Sequence, residues 1–248
     1  MPNNVMVAVC APQKVDSLFA SSLMGLTMWD SRFGSQHLAD PPALWMIGGS
    51  LIVLERNQAV NHFLASDAEW IWFIDTDQTF PPDLLERMMS VADAVERPIV
   101  GAPVWVFRKE AGELKIGVNV FDVVEGGGFV PLAETSTEQD RIEQVAAVGT
   151  GCLLVHRSAL ERMQAHSVEM GGSRESGWFW LLWAPPDHTE GEDLWFCRLA
   201  ARCGIPVFVD WLNVLGHLKP MLLHGGMDAS TIHIAPPAAM KPVKRGVA

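Results

Sequence analysis

The sequence is most constrained by Trp70-Ile71-Trp72-Phe73-Ile74, five apolar residues in a row that run directly into Asp75-Thr76-Asp77. Successive side chains of a strand point to opposite faces, so a strand with no polar residue has no face to give to water. Such a strand belongs in a sheet covered by helices on both sides. Shorter apolar runs at residues 5–10, 43–47 and 99–103 repeat the theme. Between them lie helical spacings at residues 17–29, 51–65 and 81–95. The second has Leu51, Leu54, Val60 and Leu64 among its apolar positions and Ser50 as its cap, and the third opens on Pro81-Pro82-Asp83. Asp40-Pro41-Pro42 reads as a break ahead of the second strand. This alternation predicts an α/β chain with a doubly wound, mostly parallel central sheet.

After residue 103 the pattern changes. Residues 105–148 read as β-ribbon and loop, with a Gly126-Gly127-Gly128 turn and a polar stretch at 134–143. Short strands at 145–148 and 152–155 flank Gly149-Thr150-Gly151, and a helix follows at 158–164. Two loops, 170–177 and 184–191, surround an apolar segment at 178–183. A helix at 192–203 then opens on a capping-box pattern, Thr189-x-x-Glu192, and stops at Gly204. A buried strand at 206–209 leads to Gly216-His217. From Gly225 the chain is a proline-rich tail with Lys241, Lys244 and Arg245.

The 248 residues suffice for one large domain, and 49% hydrophobic with 19% charged residues is a globular balance. A net charge of −11 argues against a general nucleic-acid binder, which needs basic surface to neutralise phosphates. It leaves room for a small phosphorylated ligand whose charge a divalent ion offsets. Four scattered cysteines, Cys10, Cys152, Cys197 and Cys203, make no disulfide framework and read as reduced thiols in a cytoplasmic protein. Residues 1–11 lack the basic start of a signal peptide. The longest apolar stretch, residues 44–54, is too short to span a bilayer. Ten tryptophans and no tyrosine is an unusual aromatic balance; Trp70, Trp72, Trp178, Trp180 and Trp183 fall in or near the segments that carry chemistry, with core packing as their plainer use.

Those segments begin with Asp75 and Asp77, at the carboxyl end of the most apolar strand, where open α/β sheets bind ligands. Two hard carboxylates suit Mg²⁺ or Mn²⁺. Glu192-Asp193 opens a helix, His217 follows the last strand, and Arg56, Asn57 and Asn61 lie in one helix. Alone, each of these has a plainer structural use as cap, dipole partner or sheet-edge residue. His188, His224 and His233 have no supporting context.

Taken in order, the segments Arg56-Asn57, the apolar strand with Asp75-Thr76-Asp77 and residues 80–85, Gly149-Thr150-Gly151 with residues 152–155, Gly191-Glu192-Asp193, and Gly216-His217 resemble the GT-A fold glycosyltransferases, closest to family 2-like members of bacteriophage and bacterial type. The resemblance runs from about Val5 to Leu218. It implies a Rossmann-like nucleotide-binding half, residues 1–103, fused to an acceptor-binding catalytic half, residues 104–224, in a single domain, with 225–248 as a tail. It implies contacts from Ala11, Pro12, Arg56 and Asn57 to the nucleotide, Asp75 and Thr76 near the ribose and metal, and Asp75, Asp77 and His217 as ligands of Mn²⁺ or Mg²⁺. Gly149, Thr150 and Gly151 would let the backbone approach sugar or acceptor. Glu192 and Asp193 match the family's acidic pair, the aspartate being the base. The first loop has no acidic residue of its own for uracil, so Asp16 or Asp30 would have to serve.

The implied activity is a metal-dependent, hexosyltransferase-like transfer from a nucleoside diphosphate sugar, a UDP-sugar first, to the hydroxyl of a glycan, protein side chain or modified DNA base, with inversion. The alternatives are a metal-dependent nucleotidyltransferase, although no glycine-rich basic loop follows the first strand, and a non-catalytic sugar- or nucleotide-binding module of the same fold.

Overall fold

The computed structural model describes residues 4–219 except 12–13, 48, 50, 111–112, 126, 133–140, 170–176, 181 and 185–187. Pro12, Ser50, Gly126, most of the polar 134–143 stretch, most of the 170–177 loop, His224, His233 and the basic tail residues lie outside the described residues. One compact unit spans Met1–Leu218.

The first half holds β1 (Val5–Ala11), α1 (Ser17–Arg32), β2 (Leu38–Ile47), α2 (Ile52–Leu64), β3 (Trp70–Ile74), β4 (Gln78–Thr79), α3 (Leu84–Met89) and β5 (Ile99–Gly101). The second holds β6 (Trp105–Glu110), β7 (Glu113–Val118), β8 (Val120–Val123), β9 (Phe129–Pro131), β10 (Ile142–Val145), β11 (Ala147–Val148), β12 (Cys152–His156), α4 (Arg157–Glu169), β13 (Leu182–Ala184), β14 (His188–Glu190), α5 (Glu192–Arg202), β15 (Val207–Asp210) and β16 (Gly216–His217).

A seven-stranded sheet in the order β10-β15-β5-β12-β3-β1-β2 organises the chain. Strands β2, β1, β3, β5 and β15 run one way; β12, between β3 and β5, and β10, at the edge, run the other. The period-2 alternation of the central strands explains why both faces are apolar. Val5, Val7, Val9, Trp70, Trp72 and Ile74 pack on one side, against Phe19 and Leu26 of α1 and Leu84, Leu85 and Met88 of α3. Met6, Ala8, Ile71 and Phe73 pack on the other, against residues of α2, α4 and α5. The helix–sheet–helix arrangement expected from the fully apolar β3 is therefore present.

Several local expectations need correction. Residues 40–42 are not a break ahead of the second strand: β2 starts at Leu38 and runs through them, and between Val5↔Leu38 and Val7↔Ala43 its register with β1 slips. The slip houses two prolines that have no N–H to give a ladder. The helix expected to reach residue 95 stops at Met89, and a turn closed by the Asp93↔Arg97 bridge replaces its end. Residues 145–148 are not one strand, because β10 joins the main sheet while β11 pairs with β8 in a separate ribbon. The Thr189 capping box does not form: Thr189 lies in β14, and Gly191 is the N-cap of α5 with no side-chain bond. At the other end of α5, Gly204 takes the left-handed stop (φ 64°) that a glycine makes cheaply. In α2, Leu51 and Leu54 are exposed, and the buried face instead carries Val53, Glu55, Arg56, Asn57, Ala59, Val60 and Phe63.

Candidate active site

The rotation of α2 brings three consecutive polar residues into the protein. Arg56 is 3% exposed. Its guanidinium donates to Asp75 Oδ1 at 2.9 Å and to Glu192 Oε1 at 2.6 Å, so one buried cation joins the end of β3 to the start of α5. Burial pulls a guanidinium pKa down, but the carboxylates of Asp75 and Glu192 outweigh it and hold Arg56 above its ordinary value. Cys10, near Arg56, Asp75 and Glu55 at the end of β1, is a desolvated thiol pushed up to about 12. It sits in this cluster as a neutral packing group, not as a nucleophile.

Asn57 turns the other way. Its amide nitrogen donates to Val53 O (2.9 Å) and Phe179 O (2.8 Å), and its oxygen accepts from Phe179 N at 3.1 Å. These bonds clamp the segment around Phe179 to α2. Expected at the nucleotide, Asn57 is placed by the structure as a backbone bracket beside the site.

Beyond β3 the chain turns through Asp75, Thr76 and Asp77 into the two-residue β4, which pairs with β16 so that His217 lies opposite Gln78. Asp77 O accepts from Leu218 N at 2.7 Å, tying the same two segments. His217 Nε2 stands 2.8 Å from Asp77 Oδ2, and His217 Nδ1 stands 2.6 Å from the Trp105 carbonyl oxygen. A carbonyl only accepts, so in the neutral ring Nδ1 carries the proton and Nε2 offers its lone pair to a carboxylate. That arrangement needs a cation at the pair, either a second proton or a metal. A backbone carbonyl on one nitrogen and the other turned inward is the usual posture of a metal-ligating histidine. The pair thus fits a hard divalent ion that takes its remaining ligands from water and phosphate oxygens. Among the described residues no three His, Cys, Asp or Glu side chains form a self-sufficient metal cluster. Asp75, expected to share the metal, faces Arg56 through Oδ1.

The glycine turn between β11 and β12 lies against these carboxylates. Asp75 N donates to Gly151 O at 3.0 Å. A Cβ on Gly151 would stand 3.3 Å from Asp75 Oδ2 and 3.4 Å from Gln78 Nε2, so glycine here makes room for Asp75. Gly149 has no room for a Cβ because the Asn119 side chain fills the space. Thr150 is buried, with its hydroxyl unpartnered.

Asp193 occupies the first turn of α5, and its Oδ1 accepts from Leu194 N at 2.8 Å. Burial, then the neighbouring Glu192 carboxylate, raises its pKa above the ordinary value. A carboxyl group held this way is a stronger base when ionised. Ala11 ends β1, buried and paired with Ile47. Neither acidic candidate for a uracil contact is idle: Asp16 caps α1 through Leu18 N (2.8 Å), and buried Asp30 accepts from His37 N (2.8 Å) and Leu38 N (3.2 Å).

Gln78 escaped the sequence reading. Its amide donates to Asp77 Oδ1 at 3.0 Å and fixes that carboxylate from behind. Nothing but its place directly after Asp77 could have signalled it. Trp105 escaped too, because its contribution to the site is a backbone carbonyl.

No protein-family model matches the chain, and no curated protein does. Among solved structures, the crystal structure of A197 from STIV is similar with a TM-score of 0.52 at 13% identity, over 88% of this chain and 86% of that one. The crystal structure of GalNAc-T7 with UDP, GalNAc and Mn²⁺ is similar with a TM-score of 0.58 at 10% identity, over 94% of this chain and 46% of that one. This chain therefore spans a little under half the length of the second protein. At such identities the likeness speaks for the fold: the chain adopts the GT-A fold, a mixed α/β architecture on a mostly parallel sheet. No helix among the described residues is long and apolar enough to cross a membrane.

Proposed function

We propose that this chain is a glycosyltransferase that moves a sugar from a nucleoside diphosphate sugar, a UDP-sugar first, to an acceptor hydroxyl, with Asp193 as the base. The observation that carries the reading is the contact between Asp77 and His217, 140 residues apart in sequence and 2.8 Å apart in space, at the carboxyl end of the apolar strand. The contact can be met by an ion pair alone, and a diphosphate-bound divalent ion meets it as well while giving the two side chains a shared task at the ligand-binding end of the sheet. Such an ion, when bound, supplies positive charge to the departing diphosphate.

The chain's own residues do the rest. Arg56 holds Asp75 and Glu192 in one ion-paired cluster, so the turn after β3 and the first turn of α5 keep a fixed spacing. Asp193 takes the proton from the acceptor hydroxyl as that oxygen attacks the anomeric carbon. The C–O bond to the diphosphate breaks as the new glycosidic bond forms, and direct attack inverts the anomeric centre. GalNAc-T7, named with UDP, GalNAc and Mn²⁺, supports the choice of a uridine nucleotide and a divalent ion as first probes.

A panel of nucleotide sugars with Mn²⁺ tests the proposal. Slow release of free sugar from one donor supports transfer. Release of sugar phosphate with a nucleotide would point to nucleotidyl chemistry, and binding without turnover to a non-catalytic module.

A further inference from the structure

Gln78 is 1% exposed, although the three residues before it are all partly exposed. Its amide nitrogen donates to Asp77 Oδ1 at 3.0 Å. Its Oε1 is buried and has no partner among the described residues. A carboxylate only accepts, so turning the amide over would set two oxygens against each other. The orientation is therefore forced, and it leaves a buried acceptor unmet, which disfavours the fold. An apolar side chain of the same length would avoid that cost. What it would lose is the N–H on Asp77.

A second, independent observation shows what that N–H does. The other oxygen of Asp77, Oδ2, stands 2.8 Å from His217 Nε2, so the two oxygens of one carboxylate are addressed by two different side chains. The amide is also backed. A Cβ on Gly151 would stand 3.4 Å from Gln78 Nε2, so the glycine turn lies close against it. The Gln78 backbone is tied on both sides, by pairing with His217 across β4 and β16 and by Gln78 N donating to Asp75 O at 3.2 Å. The Asp77 carboxylate cannot rotate without breaking one of its two contacts. Its side chain is 41% exposed, so this fixed group is still reached from outside.

We infer that Gln78 is a positioning residue that sets the ion preference of the site: by engaging Oδ1 it holds Asp77 to one-oxygen ligation through Oδ2, which favours Mn²⁺ or Mg²⁺ over Ca²⁺. This rests on the ion-binding pair of the transferase reading above. The smaller ions take near-octahedral shells with few protein oxygens and leave the remaining places to water and phosphate. Ca²⁺ takes six to eight oxygens in a looser shell and uses both oxygens of a carboxylate when they are offered. A carboxylate pinned by an amide on one oxygen suits the first kind of shell.

The test is Mn²⁺ binding to the protein with UDP, read from the loss of the free Mn²⁺ electron paramagnetic resonance signal, with Ca²⁺ and Mg²⁺ as competitors. Gln78→Met keeps the length of the side chain and removes the donor; Gln78→Leu is the second variant should the first not fold. Either should weaken Mn²⁺ binding by about tenfold. Ca²⁺ should weaken less, so that the preference for Mn²⁺ over Ca²⁺ falls by roughly tenfold. The melting temperature without metal should stay level or rise, because the unmet Oε1 is gone. A preference unchanged in both variants overturns the inference and leaves the Asp77–His217 ion site standing. So does a lower melting temperature with equal loss of both ions, which would make Gln78 a purely structural residue. Absence of Mn²⁺ binding to the wild type would overturn the ion reading and this inference with it.

Discussion

Replacing Arg56 by methionine should separate the two parts of the site. The methionine keeps the apolar stem and removes the guanidinium. Its side chain is 4% exposed, against 31% for Asp75 and 18% for Glu192, so the charge removed is buried and those left behind are only partly wet. Breaking a buried ion pair from one side costs about 3–5 kcal/mol. Partial solvation of the two carboxylates places this case near the lower bound, about 3 kcal/mol. The guanidinium also lies 5.7 Å from the Phe179 ring centroid, a contact that methionine partly replaces. For a unit of this size each kcal/mol moves the melting temperature by roughly 2–4 °C, so Arg56→Met should melt about 6–12 °C lower. Arg56→Lys keeps the charge but lacks the fork that reaches both carboxylates, so it should fall between. Adding Glu192→Gln to Arg56→Met removes one of the stranded carboxylates and should recover part of the loss, a coupling that a double-mutant cycle measures. If Arg56→Met melts within about 2 °C of the wild type, or the double variant is no better than the single, then Arg56 is not what holds the site together.

Other perturbations read other parts of the site. Asp193→Asn should abolish sugar transfer yet make the protein more stable at neutral pH. The folded state raises the Asp193 pKa above 3.8, so the protonated form is favoured there, and stability falls as pH rises from that value through the raised one. The thermal gain should therefore shrink toward acid pH, and a variant less stable than wild type at pH 7 would contradict the sign. Asp77→Ala and His217→Ala should each lose Mn²⁺-dependent UDP binding in calorimetry; unchanged affinity would remove the pair from the metal site. Gly151→Ala places a Cβ against Asp75 and Gln78, and should cost about 1–3 kcal/mol by overpacking while lowering transfer. Asn57→Ala strands the buried N–H and carbonyl of Phe179, a loss of about 2–4 kcal/mol, visible as a lower urea midpoint at unchanged slope.

The sheet was legible because its signal is local. A strand buried on both faces has to be apolar at every position, and β3 is, to the residue at both ends. The misread elements are those that tertiary partners decide. The prolines of β2 look like a terminator in isolation, yet a register slip against β1 absorbs them. Residues 142–148 divide between two sheets because β10 has β15 as a partner and β11 has β8, and nothing in seven residues announces that choice. The helix after Pro82 ends early, where the Asp93 carboxylate collects the N–H groups of Val95 and Glu96 into a turn.

The face of α2 shows why the site was only half legible. Periodicity weights apolar residues, and Leu51 and Leu54 favoured a face that in the fold looks outward. The buried face instead carries Glu55, Arg56 and Asn57, which a hydrophobic count treats as surface. A guanidinium goes inside only where carboxylates meet it, and its partners lie 19 and 136 residues away, so no local window contains the reason. The same holds for His217, whose two ring nitrogens are fixed by Trp105 and Asp77 from distant parts of the chain. Residue types in order were enough to name Asp75, Asp77, Glu192, Asp193 and His217 as a set. Their division of labour is a property of the fold: Asp75 and Glu192 are drawn to Arg56, and Asp77 and His217 are left together. Asp193 is left to burial and to the charge of Glu192, which together raise its pKa.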